Sequence, residues 1–133
     1  MEKRFPVAID SLHDMLEFIR EYAAEQNFGV ESLQKVKLAA DEALANIIHH
    51  SGLKNHDHLE ISCYAFDNNG VKIVIKDSGI PYNPLEGDHS KGIHFINDRS
   101  PGGCGVFLIL NLMDKVEYRR EDGVNILTLV KYI

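Results

Sequence analysis

Two carboxylates, one amide and a cluster of glycines are the residues of this chain whose types and spacing could do chemistry. Glu42 and Asn46 stand four apart in KLAADEALANIIHH, a spacing that puts them on one face of a helix. Leu38, Ala39 and Ala45 flank that face. A carboxylate and an amide in such a wall cost free energy unless something pairs with them. Either they are solvated or bonded to each other, or they face a cavity, where the amide oxygen suits a hard cation such as Mg²⁺. Asp77 ends the run VKIVIKD and leads into SGIPYNP. Alone, that stretch reads as a turn. In a site, the carboxylate would accept a hydrogen bond from a ligand amine, and Gly79 would let a flat ring approach the backbone. Gly102, Gly103 and Gly105 precede the apolar run VFLILNLM. They suit a plain helix entry, and equally a helix N-terminus that holds phosphate.

The elements that must position these residues follow from periodicity. Residues 3 to 9 read as a short strand, and Pro6 confines it to a sheet edge. Ser11, with Asp14 three residues on, is a candidate cap for a helix in which Leu12, Met15, Leu16, Ile19, Tyr22 and Ala23 recur at helical spacing. Asn27-Phe28-Gly29 closes it. A second helix starts near Glu31 or Ser32, carries Glu42 and Asn46, and stops at Ser51-Gly52. HLEISCYAF alternates with period two, DNNG is a hairpin signal, and VKIVIKD is the partner strand. From Ser78 to Gly102 periodicity fails over a length typical of binding loops and lids. A helix over about 105–113 and a hairpin turning at Asp122-Gly123 complete the chain. The order β-α-α-β-β-lid-α-β-β predicts an α+β, two-layer α/β sandwich. Its sheet is expected to be mixed but mostly antiparallel, with helices on one face.

Bulk properties narrow the function classes. At 133 residues, 44% hydrophobic and 26% charged, the chain suits one soluble domain, 1–133. A net charge of −6 argues against a broad nucleic-acid surface. No apolar run approaches the roughly 20 residues of a membrane helix, and the opening residues lack the apolar stretch of a secretory signal. Cys63 and Cys104 form no disulfide framework, so the expectation is a reduced, cytoplasmic protein. His49, His50, His56 and His58 cluster near one helix end, but no cysteine or carboxylate completes a zinc spacing. Walker and Rossmann glycine patterns are absent.

Order and spacing together carry a resemblance. Glu42-Ala-Leu-Ala-Asn46, then Asp77-Ser-Gly79-Ile-Pro81, then a lid, then Gly103-Cys-Gly105-Val-Phe-Leu108 resemble the N box and the two glycine boxes of the Bergerat-fold (GHKL) ATPases. Within that superfamily NIIHHSG, DSGIPYNPLE and GVFLILNLMDKVEY are most similar to the anti-sigma-factor serine/threonine kinases. The likeness covers roughly residues 1 to 132.

The resemblance implies a role for each matching residue. Asn46 would hold Mg²⁺ against the phosphates of ATP, and Glu42 would orient or deprotonate the attacking hydroxyl. Asp77 would bind the adenine amino group, with Gly79 and Pro81 beside it. Gly103, Cys104, Gly105 and Val106 would cradle phosphates, and Thr128 of the closing strand would join the nucleotide site. Arg99 would reach the γ-phosphate from a lid over about 78–102. Pro81 stands where the wider superfamily has a second glycine, and Ser100-Pro101-Gly102 separate Arg99 from the second box. The implied activity is phosphorylation of a STAS-domain anti-anti-sigma partner by a cytoplasmic homodimer that also binds a sigma factor, with no direct nucleic-acid or membrane contact. The alternative is a non-catalytic ATP-binding switch that sequesters a regulatory partner.

Overall fold

The alternating runs pair as their periodicity requires. In the computed structural model, which describes residues 1–54, 57–66, 69–85 and 103–132, strand β2 (His58–Phe66) and strand β3 (Gly70–Asp77) form an antiparallel hairpin. The first strand, β1 (Glu2–Pro6), pairs with β2 and lies at a sheet edge, where Pro6 leaves no ladder bond unmade. The closing hairpin is β4 (Lys115–Glu121) and β5 (Val124–Tyr132). Asp122 and Gly123 turn it with φ of 52° and 79°, the left-handed pair that a two-residue hairpin needs.

The strand order is β1-β2-β3-β5-β4, and every neighbouring pair is antiparallel. The expected mixed sheet is therefore corrected to an antiparallel one. β4 runs in the direction of β3, but the hairpin returns β5 between them, so the two same-direction strands never pair.

Three helices among the described residues cover one face. Helix α1 (Leu12–Ala24) buries Met15, Ile19 and Ala23, every fourth residue of one stripe. Ser11 precedes it, but its side chain makes no capping bond because residues 9–11 enter through a 3₁₀ turn. Helix α2 (Val30–His50) packs between α1 and helix α3 (Gly103–Leu112). Its small residues Ala39, Ala40 and Ala43 are fully buried, which lets the helix lie close to its neighbours. Ser51 caps α2 and Gly52, at φ 74°, turns the chain away. Ile61, Ile73, Ile75 and Leu129 meet α1 and α2 in one core. No helix of the described residues is long and apolar enough to cross a membrane.

Candidate active site

The C-terminal half of α2, the end of β3 and the start of β5 close around one cavity. Asn46, Ile47 and Ser51 line it from α2, and Ala43 floors the same wall. Asp77, Ile80 and Tyr82 line it from the end of β3 and the chain beyond; Ile109 comes from α3 and Tyr118, Asn125 and Leu127 from the closing hairpin. The helix face and the strand end that sequence reading picked out separately thus meet in one place.

Asn46 is only 8% exposed, and its Nδ2 has no hydrogen-bond partner among the described residues. The amide is not bonded to Glu42, which removes the pairing alternative. An orphaned buried amide facing a cavity is costly unless a ligand completes it. Its oxygen is a hard donor, so the group fits a Mg²⁺-bound phosphate.

Glu42 lies one turn before Asn46 and is half-buried, beside the cavity rather than among its lining residues. Burial, reinforced by the negative charge of Asp41, pushes its carboxyl above the ordinary glutamate value. Leu38, one turn earlier, is 43% exposed, so this end of the face opens to solvent.

Asp77 is buried, and its Oδ1 accepts two hydrogen bonds, from the Gly79 N–H at 2.9 Å and from Asn125 Nδ2 at 3.1 Å. Its Oδ2 takes none from the described residues, and Asp77 lines the cavity. The arrangement leaves one carboxylate oxygen as an acceptor for a ligand donor. Gly79 is required at this place by the protein itself: a Cβ there would lie 2.4 Å from the Ser51 carbonyl oxygen and 2.9 Å from Asp77 Oδ1. Pro81 is exposed and stands between two cavity residues without lining the cavity itself.

The second glycine box opens α3. Gly103, Cys104 and Gly105 form its first turn, two residues earlier than the expected start, and Val106 behind them is buried. The N–H groups of that turn are the ones a helix leaves unpaired. Of the expected lid, residues 78–85 are described; Arg99 lies outside the described residues. Tyr82 stacks on His50 with ring centroids 4.6 Å apart and planes 14° from parallel, which ties the start of this segment to the end of α2.

One assignment is corrected. Thr128 pairs with Val74 and Glu117 and points to the sheet face opposite the helices, together with Lys72, Lys76 and Val130. Strand alternation makes it impossible for Thr128 and Leu127 to share a face. The polar residue that β5 brings to Asp77 is Asn125, with Tyr118 and Arg120 of β4 behind it. Among the described residues no group of three metal-ligating side chains gathers; His56 of the histidine cluster lies outside them. Cys63 is buried in the core and its thiol is pushed up to about 12, so it is no nucleophile.

The histidine kinase-like ATPase domain family matches residues 5–131 of this chain. The chain belongs to that family. It is 34% identical over 116 residues to the serine-protein kinase RsbW of Staphylococcus epidermidis, covering 77% of this chain and 67% of that protein. It is 29% identical over 119 residues to the serine/threonine-protein kinase BtrW of Bordetella bronchiseptica, covering 90% and 84%. Two solved structures share the fold. The SiaB–SiaC complex of Pseudomonas aeruginosa superposes with a TM-score of 0.65 at 13% identity, over 100% of this chain and 89% of that one. The RsbU and RsbW domains of Rv1364c from Mycobacterium tuberculosis give 0.66 at 12% identity, over 99% and 32%. At such identities the likeness is one of fold alone.

Proposed function

We propose that this protein is an ATP-dependent serine/threonine kinase that acts as an anti-sigma factor and phosphorylates a STAS-domain anti-anti-sigma partner. The observation that carries the reading is the meeting of Asn46 and Asp77 on one cavity, in a chain 34% identical to a serine-protein kinase. When bound, ATP supplies the phosphoryl group and Mg²⁺ neutralises the charge of its phosphates. Asp77 Oδ2 accepts the amino group of the base. Asn46 holds the metal through its amide oxygen, and the first turn of α3, Gly103 to Val106, holds phosphate oxygens through backbone N–H groups. Glu42 orients the incoming serine or threonine hydroxyl and takes its proton. A carboxyl held above its ordinary value by burial is a stronger proton acceptor than an exposed one. Positioning and charge neutralisation are most of what phosphoryl transfer asks of a protein, so a site this sparse is sufficient. Arg99 is assigned to the γ-phosphate on its sequence position only. The homodimer, the sigma factor and a cytoplasmic location belong to the same reading and rest on the family resemblance.

A second reading, an ATP-binding switch that sequesters a regulator without phosphorylating it, is favoured by one observation: Glu42 stands outside the cavity lining. The deciding experiment incubates the purified chain with [γ-³²P]ATP, Mg²⁺ and STAS-domain proteins encoded near it. Label on a serine or threonine of the partner supports the kinase. Tight ATP and sigma-factor binding with no label on any partner supports the switch.

A further inference from the structure

Asn125, absent from the sequence-based site, has every hydrogen-bonding position of its amide filled. Its Nδ2 donates to Asp77 Oδ1 at 3.1 Å and to the Ile80 carbonyl at 2.8 Å. Its Oδ1 accepts from the Tyr118 hydroxyl at 2.5 Å and from Arg120 Nη1 at 3.0 Å. A guanidinium only donates, and an ionised carboxylate and a carbonyl only accept, so the amide has one permitted orientation. Arg120 Nη1 also donates to the Gly79 carbonyl at 3.0 Å. From the other side, the Ile80 N–H donates to the Ser51 carbonyl at 2.9 Å. The turn after Asp77 is thereby clamped between the closing hairpin and the end of α2.

We propose that Asn125, oriented by Arg120 and Tyr118, is a positioning residue that aims Asp77 at the base and sets the preference for a base bearing an exocyclic amino group. The proposal rests on the reading of Asp77 as the base-binding carboxylate. Two donors converge on Oδ1, one from the Gly79 backbone and one from Asn125, and fix the rotation of the carboxyl. Oδ2 is then the acceptor presented to the cavity. An amino group satisfies it. A base with hydrogen or an oxo group at that position leaves a buried carboxylate oxygen unpaired or sets acceptor against acceptor, which is where large discrimination arises. Remove Arg120, and the Asn125 oxygen loses its charged donor, so the amide and the carboxyl behind it gain rotational freedom.

The test compares binding of ATP with purine riboside 5′-triphosphate, which lacks the 6-amino group, in the presence of Mg²⁺. Wild type should prefer ATP by roughly 10- to 100-fold, the worth of a hydrogen bond to a charged group. Asp77→Asn should erase most of that preference. Arg120→Met, on an exposed side chain, should reduce the preference by roughly threefold to tenfold, less than the loss of Asp77 because Arg120 acts only through Asn125 and the Gly79 carbonyl. Arg120→Lys should recover part of it, and Tyr118→Phe should act in the same direction as Arg120→Met. An equal loss for both nucleotides in Arg120→Met, or a preference as large as wild type, would overturn the proposal while leaving the Asp77 reading intact. Equal binding of the two nucleotides by wild type would overturn both.

Discussion

Gly79 and Ser51 approach so closely that a Cβ on the glycine would stand 2.4 Å from the Ser51 carbonyl oxygen and 2.7 Å from the serine Cβ. The same carbonyl accepts the Ile80 N–H at 2.9 Å. The junction joins the turn after Asp77 to the helix that carries Asn46. Both near atoms belong to fixed parts of the chain, so neither can swing aside. Gly79→Ala should therefore cost about 1–3 kcal/mol, the range for overpacking a close contact. Gly29 is the control: nothing lies within 4 Å of its added Cβ, and its φ is −68°. Gly29→Ala should cost less than Gly79→Ala, because the loss of a favoured N-cap residue is offset by the roughly 0.4–1 kcal/mol gained from a less flexible unfolded chain. Urea unfolding of the two variants checks the contrast, and equal losses would contradict it.

Much of this frame was legible in the sequence because the chemistry repeats. Leu59, Ile61 and Cys63 on β2 alternate with Glu60, Ser62 and Tyr64, Ile73 and Ile75 on β3 repeat with the same period of two, and all five are buried. Pro6 marks β1 as an edge strand, and β1 lies at the edge of the sheet. The site was less legible where alternation carries no information. On β5 both faces are buried: Leu127 and Leu129 on the helix side, Ile126 and Val130 on the other. Hydrophobicity then does not say which parity faces Asp77, and Thr128, which the resemblance implies for the site, lies on the other face. Asn125 is hidden for a second reason, because a single asparagine near the start of a strand carries no spacing signal of its own. Only the register, which sets Asn125 opposite Asp77, reveals it. Ser11 failed as a cap because a 3₁₀ turn, a three-dimensional matter, brings the chain into α1.

Glu42 should weigh on stability in a pH-dependent way. Its folded-state pKa is raised, first by burial and then by Asp41. A raised carboxyl contributes stability that is fully present below its unfolded value and is lost as pH rises through the folded value. At neutral pH the ionised side chain is therefore a net cost. Glu42→Gln should raise the thermal midpoint at pH 7, with the gain vanishing near pH 3. A midpoint lowered at pH 7 would show the carboxylate to be stabilising instead.

His50 carries the opposite sign. Burial, followed by the neighbouring His49, lowers its pKa, and its Nε2 is buried with no hydrogen-bond partner among the described residues. The neutral ring is favoured in the folded protein. Its stabilising contribution is complete above the unfolded histidine value, roughly 6.5, and falls as pH drops from there through the folded value. Urea midpoints measured from pH 8 to pH 5 should decline in the lower part of that window. His50→Gln should flatten the decline, and loosening the Tyr82 stack should lower the midpoint at pH 8 as well. An unchanged slope would remove His50 from the titrating groups.

The most direct test of the kinase reading separates two residues one helical turn apart. Asn46 lines the cavity and Glu42 stands beside it, so their alanine variants should fail at different steps. The measurement is ATP affinity with Mg²⁺, together with single-turnover phosphorylation of a STAS-domain partner. Asn46→Ala should impair Mg²⁺-dependent ATP binding and, with it, transfer. Glu42→Ala should retain near-wild-type ATP affinity while transfer slows by roughly 10²- to 10⁴-fold, the loss expected of a general base. Transfer by Glu42→Ala at the wild-type rate would contradict the assignment.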